Sequence, residues 1–285
     1  MKTELMHAMK INGREAEPVE IPKAVPGNGE VSVKVIASAV NAAEEKIMGG
    51  EFAGRFLHAK SSPLVLGWDF AGVVDLVGND VSDLRPGTPV WGHLPYSGST
   101  RQGAYAEYIT ILREQVAIKP DNVPFHVAAA AATVAMTSLQ SLRDMGRLRE
   151  GGTALIIGAA GGVGSVAVGI AKRLGAKVTA ICSTKDVERV KTYGADEIID
   201  RKKTNPFDTP SKFDVIFDTP AVHSFSRWAH RLENGGTYVT TLPDFGLLTG
   251  MIRAFFSSKR CKFVQVASKR KDLELVGEWL SDGMV

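Results

Sequence analysis

The stretch Ile156 to Gly164 reads IIGAAGGVG. Small residues at this spacing suit one task, bringing a backbone up against a pyrophosphate. Gly161 lets the chain approach the phosphates with no side chain in the way, and Gly164 lets the following helix close on the preceding strand. Ala159 stands where the first glycine of G-x-G-x-x-G is usual, so the pattern is A-x-G-x-x-G. A helix opening here points the unpaired N–H groups of its first turn, and the positive end of its dipole, at the phosphates. Ala160, Gly161, Gly162, Val163 and Gly164 are therefore the expected phosphate contacts. The competing reading is a glycine-rich turn that binds nothing, and the turn's place between a strand and a helix argues against it.

A second constellation bears on which dinucleotide is held. An NAD site wants Asp or Glu about 20 residues on, at the end of the next strand, to accept from the ribose 2′-OH. Here that strand runs AICSTKD, and Ser183, Thr184 and Lys185 precede the first acid, Asp186. Two hydroxyls and a cation suit a 2′-phosphate through charge-assisted hydrogen bonds. Arg189 and Arg201 are candidates for a second cation. NADPH is the expected cofactor; the plainer alternative makes Lys185 and Arg189 solvated charges at a helix start. Asp218 and Thr219 end the strand FDVIFDT, at the carboxyl edge where doubly wound sheets bind ligands.

These residues need strands and helices in alternation, and the second half of the chain supplies them. After Pro120 the sequence turns Ala-rich and helical, then alternates. TALIIG, KVTAICS, DEIID, FDVIFDT, TYVTTL and FVQVAS read as strands. VGSVAVGIAKRLGA, KDVERVKTYGA, FSRWAHRLENGG and DLELVGEWLSDG read as helices. That pattern predicts a Rossmann-type doubly wound parallel sheet over 123–285. Residues 1–122 are β-rich instead, with EVSVKVIASAV, LVLGWDFAGVVDLVG, PVWGHL and AYAEYITI separated by Gly/Pro turns. The fold class is α/β with a β-rich first domain.

With 285 residues, two domains are expected at ~150 residues each. A net charge of +3 is too weak to argue for nucleic acid. The two cysteines, Cys182 and Cys261, sit in different segments, which predicts a reduced, cytoplasmic protein. MKTELMHAMKING has no apolar secretory core. The apolar run Val127–Val134 falls far short of the ~20 residues of a bilayer span, so no stable membrane insertion is expected. There is no GxSxG elbow, and neither cysteine has an evident His partner for hydrolytic chemistry.

Several motifs in order resemble one group. VNAAEEK (Val40–Lys46) resembles the V-N-x-x-D-x-K element of medium-chain dehydrogenase/reductases, with Glu44 where Asp is usual. LGWDFAGVV is similar to their G-x-D/E-x-x-G-x-V strand. RPGTPVWG is similar to K-x-G-D-x-V-x-G, with Thr88 in place of Asp. GAYAEY, TSLQSL, AAGGVGSVAVGIAKRLGA and YGADEIID complete a resemblance to the quinone oxidoreductase (zeta-crystallin-like) and alkenal/enone reductases, over nearly the whole chain. It implies a GroES-like first domain. Zinc-dependent members carry Cys near Asn41 and His within G-H-E, whereas this chain reads Asn41 and Gly67-Trp68-Asp69. No cysteine precedes Cys182, so the four-cysteine zinc lobe is absent, and the six histidines show no metal spacing. No metal is expected.

The resemblance implies hydride transfer from NADPH to a quinone or to the C=C bond of an α,β-unsaturated carbonyl, in a homodimer. Such acceptors spread charge to a distant oxygen and do without a Lewis acid. It places Asn41 near the nicotinamide ribose or substrate, Lys46 as a donor or electrostatic stabiliser, and the Thr137 hydroxyl on the nicotinamide. Thr240 to Leu242 come beneath the ring. Asn41 equally suits a turn cap, and Lys46 an exposed helix start. Phe263 and Val264 either close the nicotinamide pocket or pack the core; Tyr96, Trp91 and Phe52 either line a quinone pocket or do the same. Relatives continue past Met284-Val285 with pieces that return to the first domain, so that return is expected to be missing. The alternative function is accordingly a catalytically impaired NADPH-binding or interaction protein. A trans-acting enoyl reductase serving an acyl carrier protein is a third.

Overall fold

A computed structural model of the chain describes residues 4–50, 63–97, 100, 102–243 and 245–283. Phe52 lies outside the described residues. The contacts group into two compact units, one of Met1–Thr133 with Val266–Gly283, the other built on Val134–Gln265.

In the first unit, β1 (Leu5–Asn12) and β2 (Glu15–Pro22) form a hairpin that closes through Gly13-Arg14, with Gly13 at φ +61°. Glycine at the first position of a two-residue hairpin loop meets the positive φ the turn needs. The other strands are β3 (Glu30–Ser38), β4 (Asp69–Val77), β5 (Pro89–His93), β6 (Tyr108–Leu112) and β7 (Val116–Ile118). They make one antiparallel sheet in the order β6-β3-β4-β5-β7. Val31, Val33, Trp68, Phe70, Val90 and Ile109 fill its core, apolar residues at strand spacing that cannot stay wet. The helix α1 (Ala42–Met48) lies between β3 and β4 in sequence.

The second unit follows the helix α2 (Phe125–Leu139), whose sequence spans the division at Thr133. Its elements are β8 (Thr153–Ile157), α3 (Gly162–Arg173), β9 (Lys177–Cys182), α4 (Val187–Thr192), β10 (Glu197–Asp200), β11 (Phe213–Asp218), α5 (Phe225–Trp228), β12 (Leu232–Thr240), α6 (Phe245–Phe255) and β13 (Arg260–Phe263). The six strands run parallel in the order β10-β9-β8-β11-β12-β13. This is the doubly wound sheet that the alternation predicts.

Four details differ from the sequence reading. The helix expected over FSRWAHRLENGG is one α turn followed by a 3-10 turn over Ala229–Arg231, because Leu232 already begins β12. β13 ends at Phe263, so most of FVQVAS is not strand. Helix α6 has no counterpart in the expected elements. Most consequentially, α7 (Arg270–Ser281) belongs to the first unit, so the chain does return there. Its Leu273 and Val276 are fully buried, and the Asn122 side chain meets both the backbone carbonyl and the hydroxyl of Ser281 at 2.9 and 2.7 Å. The units therefore divide at 133 and 266 rather than at 122. Residues 125–145 form 21 residues of helix apolar enough, by length and composition, to cross a membrane, and 72% of its most apolar 18-residue stretch is buried inside the protein.

Candidate active site

The carboxyl edge of the parallel sheet is drawn level by its register. Ile157 pairs with Ile181 on one side and Asp218 on the other; Asp218 pairs with Thr240, and Thr240 with Phe263. Strand order reverses between β8 and β11, the switch point at which such sheets take ligands. The glycine turn sits there.

The turn is built differently from the expected A-x-G-x-x-G. Gly158, not residue 159, makes the sharp reversal, at φ +76°. A Cβ there would stand 2.8 Å from Pro220 Cδ and 2.9 Å from Thr219 Oγ1. Ala159 is fully buried and donates its N–H to Ile181 O at 3.0 Å. The working spacing is thus Gly158, Gly161, Gly164. Gly161 N–H donates to Gly158 O at 2.9 Å, so its amide closes the turn and is not left for a phosphate. A Cβ on Gly164 would lie 2.2 Å from Gly158 O, which makes glycine obligatory where α3 crosses β8. Gly161 and Gly162 are exposed, and a Cβ on either would meet nothing closer than 3.3 Å. An open backbone at the start of a twelve-residue helix, with first-turn N–H groups unpaired within the helix, fits a dinucleotide pyrophosphate. Ser138, next to Thr137 on α2, donates to Val163 O at 3.0 Å. Thr137 is itself nearly buried.

At the end of β9 the expected phosphate pocket holds acids as well as cations. Ser183 Oγ donates to Asp186 Oδ2 at 2.8 Å, and Arg189 donates to Asp186 Oδ1 at 2.7 Å and to Ala160 O at 3.2 Å. Arg189 therefore ties the strand end to the glycine turn. The Ser183 hydroxyl, then Arg189 and Lys185, hold Asp186 below the usual carboxylate range. Burial works to raise Asp200, at the end of β10, yet the Thr184 hydroxyl, the Lys202 N–H and nearby cations leave it lowered. Arg201 donates its N–H to Cys182 O at 3.0 Å, and Lys185 and Arg201 are exposed. Asp186 and Asp200 are the site residues the sequence reading missed. Asp186 was legible in principle, since Ser183, Asp186 and Arg189 recur every three residues.

The remaining edge residues are more structural than expected. Asp218 is fully buried; its Oδ2 accepts from His223 N–H at 2.8 Å and Tyr238 OH at 2.7 Å, which pins the turn after β11. Its Oδ1 is buried with no partner. Thr219 Oγ1 donates to Ile157 O at 2.8 Å. Thr240 is buried and Leu242 half-buried. Val264 is buried and donates to Thr240 O at 3.1 Å, which favours packing, while Phe263 is half-buried.

The first unit contributes a separate cluster. Asn41 is the N-cap of α1. Its N–H donates to Glu44 Oε2 at 3.0 Å and its Nδ2 to Asp69 Oδ2 at 2.8 Å; Asp69 Oδ1 accepts from Thr133 N–H at 2.7 Å. Both acids are fully buried. Burial pushes Glu44 up to about 7, with the Asp69 charge adding to it. Burial pushes Asp69 up to about 6 against its Thr133 and Asn41 donors. Tyr105 bonds to Ala39 O at 3.2 Å, and burial beside the two acids raises both its phenol and that of Tyr96. Lys46 lies in the last turn of α1, half-buried, not at a helix start. Residues two apart on a helix do not face each other, so it does not share a face with Glu44. Trp68 is fully buried and stacks on Tyr96 at 4.5 Å; Trp91 is core. Among the described residues no three His, Cys, Asp or Glu side chains are grouped to hold a metal.

Comparison with known proteins agrees with both halves. Residues 27–121 match the alcohol dehydrogenase GroES-like domain, and residues 162–253 match the zinc-binding dehydrogenase family. A 2-methylene-furan-3-one reductase of Solanum lycopersicum is 34% identical over 90% of this chain and 63% of its own length. A trans-enoyl reductase of Aspergillus terreus is 30% identical over 90% of this chain and 77% of its own length. An NADPH-dependent alkenal/one oxidoreductase of Arabidopsis thaliana is 35% identical over 74% of this chain and 54% of its own length. The chain thus spans less than two thirds of the first and third of these relatives. In structure, a quinone oxidoreductase of Coxiella burnetii superposes with a TM-score of 0.86 at 23% identity, covering 99% of this chain and 89% of the other. An alcohol dehydrogenase superfamily protein of Novosphingobium aromaticivorans gives 0.85 at 26% identity, covering 99% and 88%.

Proposed function

Because this chain belongs to the medium-chain dehydrogenase/reductase superfamily, we propose that it is an NADPH-dependent, zinc-independent oxidoreductase of quinones or of the C=C bond in α,β-unsaturated carbonyls. The observation that carries this reading is the Gly158–Gly164 turn at the switch point of the parallel sheet. Relatives named for furanone, alkenal and enoyl reduction support the acceptor class.

When bound, the nicotinamide supplies the hydride. The chain's part is to hold and orient. The start of α3 receives the pyrophosphate, and Lys185, Arg189 and Arg201 receive a 2′-phosphate. Thr137, Thr240 and Leu242 flank the ring, with Asp218 and Thr219 fixing the strand end beside it. Asn41 presents an amide whose Nδ2 is already fixed by Asp69, so its position costs no reorganisation during reaction. Lys46 enters, through the family resemblance, as an electrostatic stabiliser, and unchanged kcat in Lys46→Met removes it from the reading.

Zinc independence is supported by side chains. Asn41 and Trp68 stand where zinc-dependent relatives carry Cys and His, and both are committed, to Asp69 and to Tyr96. A carbonyl without a Lewis acid is a poor hydride acceptor, whereas quinones and conjugated enones are good ones. A homodimer through the edge strand β13 belongs to the same reading.

The test is NADPH oxidation by the purified chain with a panel of quinones, 2-alkenals and carrier-bound enoyl thioesters, with and without chelator. Turnover insensitive to chelator, with higher kcat/KM for NADPH than for NADH, is expected. NADPH binding without turnover of any acceptor discards the reductase reading and leaves the impaired binder.

A further inference from the structure

We propose that Ser138 is a positioning residue for the coenzyme, aiming one peptide N–H of the glycine turn at the pyrophosphate. The inference rests on the coenzyme site proposed for this chain. Ser138 lies on α2 and is fully buried. Its one hydroxyl proton faces two carbonyls, Val134 O of its own helix at 2.7 Å and Val163 O of α3 at 3.0 Å. The first is the back-bond a helical serine makes to the residue four before it, and it concerns α2 alone. The second crosses to the first turn of α3. Val134, one turn earlier on the same face of α2, packs at that place too. A Cβ on Gly162 would stand 3.6 Å from Val134 Cγ1.

The oxygen of Val163 and the N–H of Gly164 are opposite ends of one planar peptide unit. Fixing the oxygen therefore fixes where the N–H points. That N–H belongs to the first-turn donors that α3 cannot pair with its own carbonyls. The N-cap, Gly161, has no side chain to take it. It is left for a phosphate. A donor on the carbonyl also polarises the peptide and strengthens its N–H. The effect runs both ways. A phosphate on the N–H makes Val163 O the better acceptor and draws the Ser138 proton away from Val134 O. Thr137, the neighbour of Ser138 on α2, flanks the nicotinamide in the proposed site, so α2 sets the coenzyme at both points. Burial alone does not confer this role. Ser141, three residues on, is also fully buried, and its hydroxyl has no partner.

Calorimetric titration of the full chain with NADPH, and with adenosine 2′-monophosphate, which has no pyrophosphate, tests it. Ser138→Ala is expected to raise the Kd for NADPH about tenfold, the worth of one hydrogen bond to a charged group. The Kd for adenosine 2′-monophosphate stays as it is. Ser138→Cys, which keeps the volume but donates weakly, gives the same split if the alanine variant melts too early to titrate. Ser138→Thr keeps a hydroxyl that reaches a helix carbonyl and is expected to bind NADPH within about twofold of wild type. Ser141→Ala removes a hydroxyl that bonds nothing and moves neither Kd. An unmoved NADPH Kd in both Ser138→Ala and Ser138→Cys overturns the proposal. So does equal weakening of both ligands, which a general loosening of the fold would give, or weakening by Ser141→Ala to the same degree. A wild-type chain that fails to bind NADPH removes the coenzyme site and this inference together. One that binds NADPH, shows the split and turns over no acceptor ends the reductase reading alone.

Discussion

The carboxamide of Asn41 donates to Asp69 at 2.8 Å, while the backbone N–H of the same residue donates to Glu44 at 3.0 Å. One side chain and one amide thus hold two fully buried acids. Asn41→Ala removes the donor to Asp69, and a hydrogen bond to a buried charged group contributes about 1.5–3 kcal/mol. Loss of the α1 cap adds about 1 kcal/mol. Urea unfolding should show a stability loss of about 2 kcal/mol or more. A loss below a few tenths would mean that Asp69 is satisfied without Asn41.

The same pair sets a pH dependence. Folding raises Glu44 from 4.5 to about 7 and Asp69 from 3.8 to about 6, through burial. A raised carboxyl pKa means that the folded chain holds its proton more tightly than the unfolded chain. That stabilisation is complete below about pH 4 and is lost as pH rises through 6 and 7. Thermal midpoints should fall over this window relative to Glu44→Gln/Asp69→Asn, whose profile should be flatter. Parallel profiles for the two proteins would refute the assignment.

Glycine positions in the turn predict unequal costs. A Cβ on Gly164 would meet a backbone oxygen at 2.2 Å that cannot move without opening the turn. Gly164→Ala should lose about 1–3 kcal/mol from overpacking and weaken NADPH binding severely. Gly161→Ala, with its nearest atom at 3.3 Å, should fold nearly as well and weaken NADPH alone. Calorimetric titration beside thermal melts separates the two. Equal behaviour would show that crowding at Gly158 is not what matters.

The cations at the end of β9 carry the coenzyme preference. Lys185→Ala should raise the KM for NADPH about tenfold or more, the worth of one charge-assisted contact, and leave that for NADH nearly unchanged. Asp186→Asn frees Ser183 and Arg189 from their present partner and should sharpen the preference. Initial rates with both coenzymes decide this. An unmoved NADPH KM in Lys185→Ala would return Lys185 to the solvated surface.

The parts legible in the sequence are those with a local period. Strand–helix alternation and the glycines at 161 and 164 are local signals, so spacing alone exposed the parallel sheet and its glycine turn. Even there, the tight-turn role fell to Gly158 and not to residue 159, because the crowding by the Thr219 and Pro220 side chains comes from the turn after β11. Glu44 and Asp69 were invisible as a pair, since only the fold of β4 past α1 brings them to one amide. Asp186 was visible as a residue but not as a competitor for Ser183, because its pull depends on the bend after β9. Helix α6 was hidden because it is apolar on two faces, which blurs a single amphipathic stripe.

Because α7 packs with the first unit, the second unit, built on Val134–Gln265, sits within the sequence of the first. The order of synthesis then matters. The six described strands of the parallel sheet come from one unbroken stretch, which can fold as soon as it is made. The first unit waits, with Leu273 and Val276 still to come, until everything between has been synthesised. Until then the β7 side that α7 covers stays bare. Helix α7 therefore acts as a latch, and loss of Leu273 or Val276 should expose the first unit to proteolysis while sparing the second.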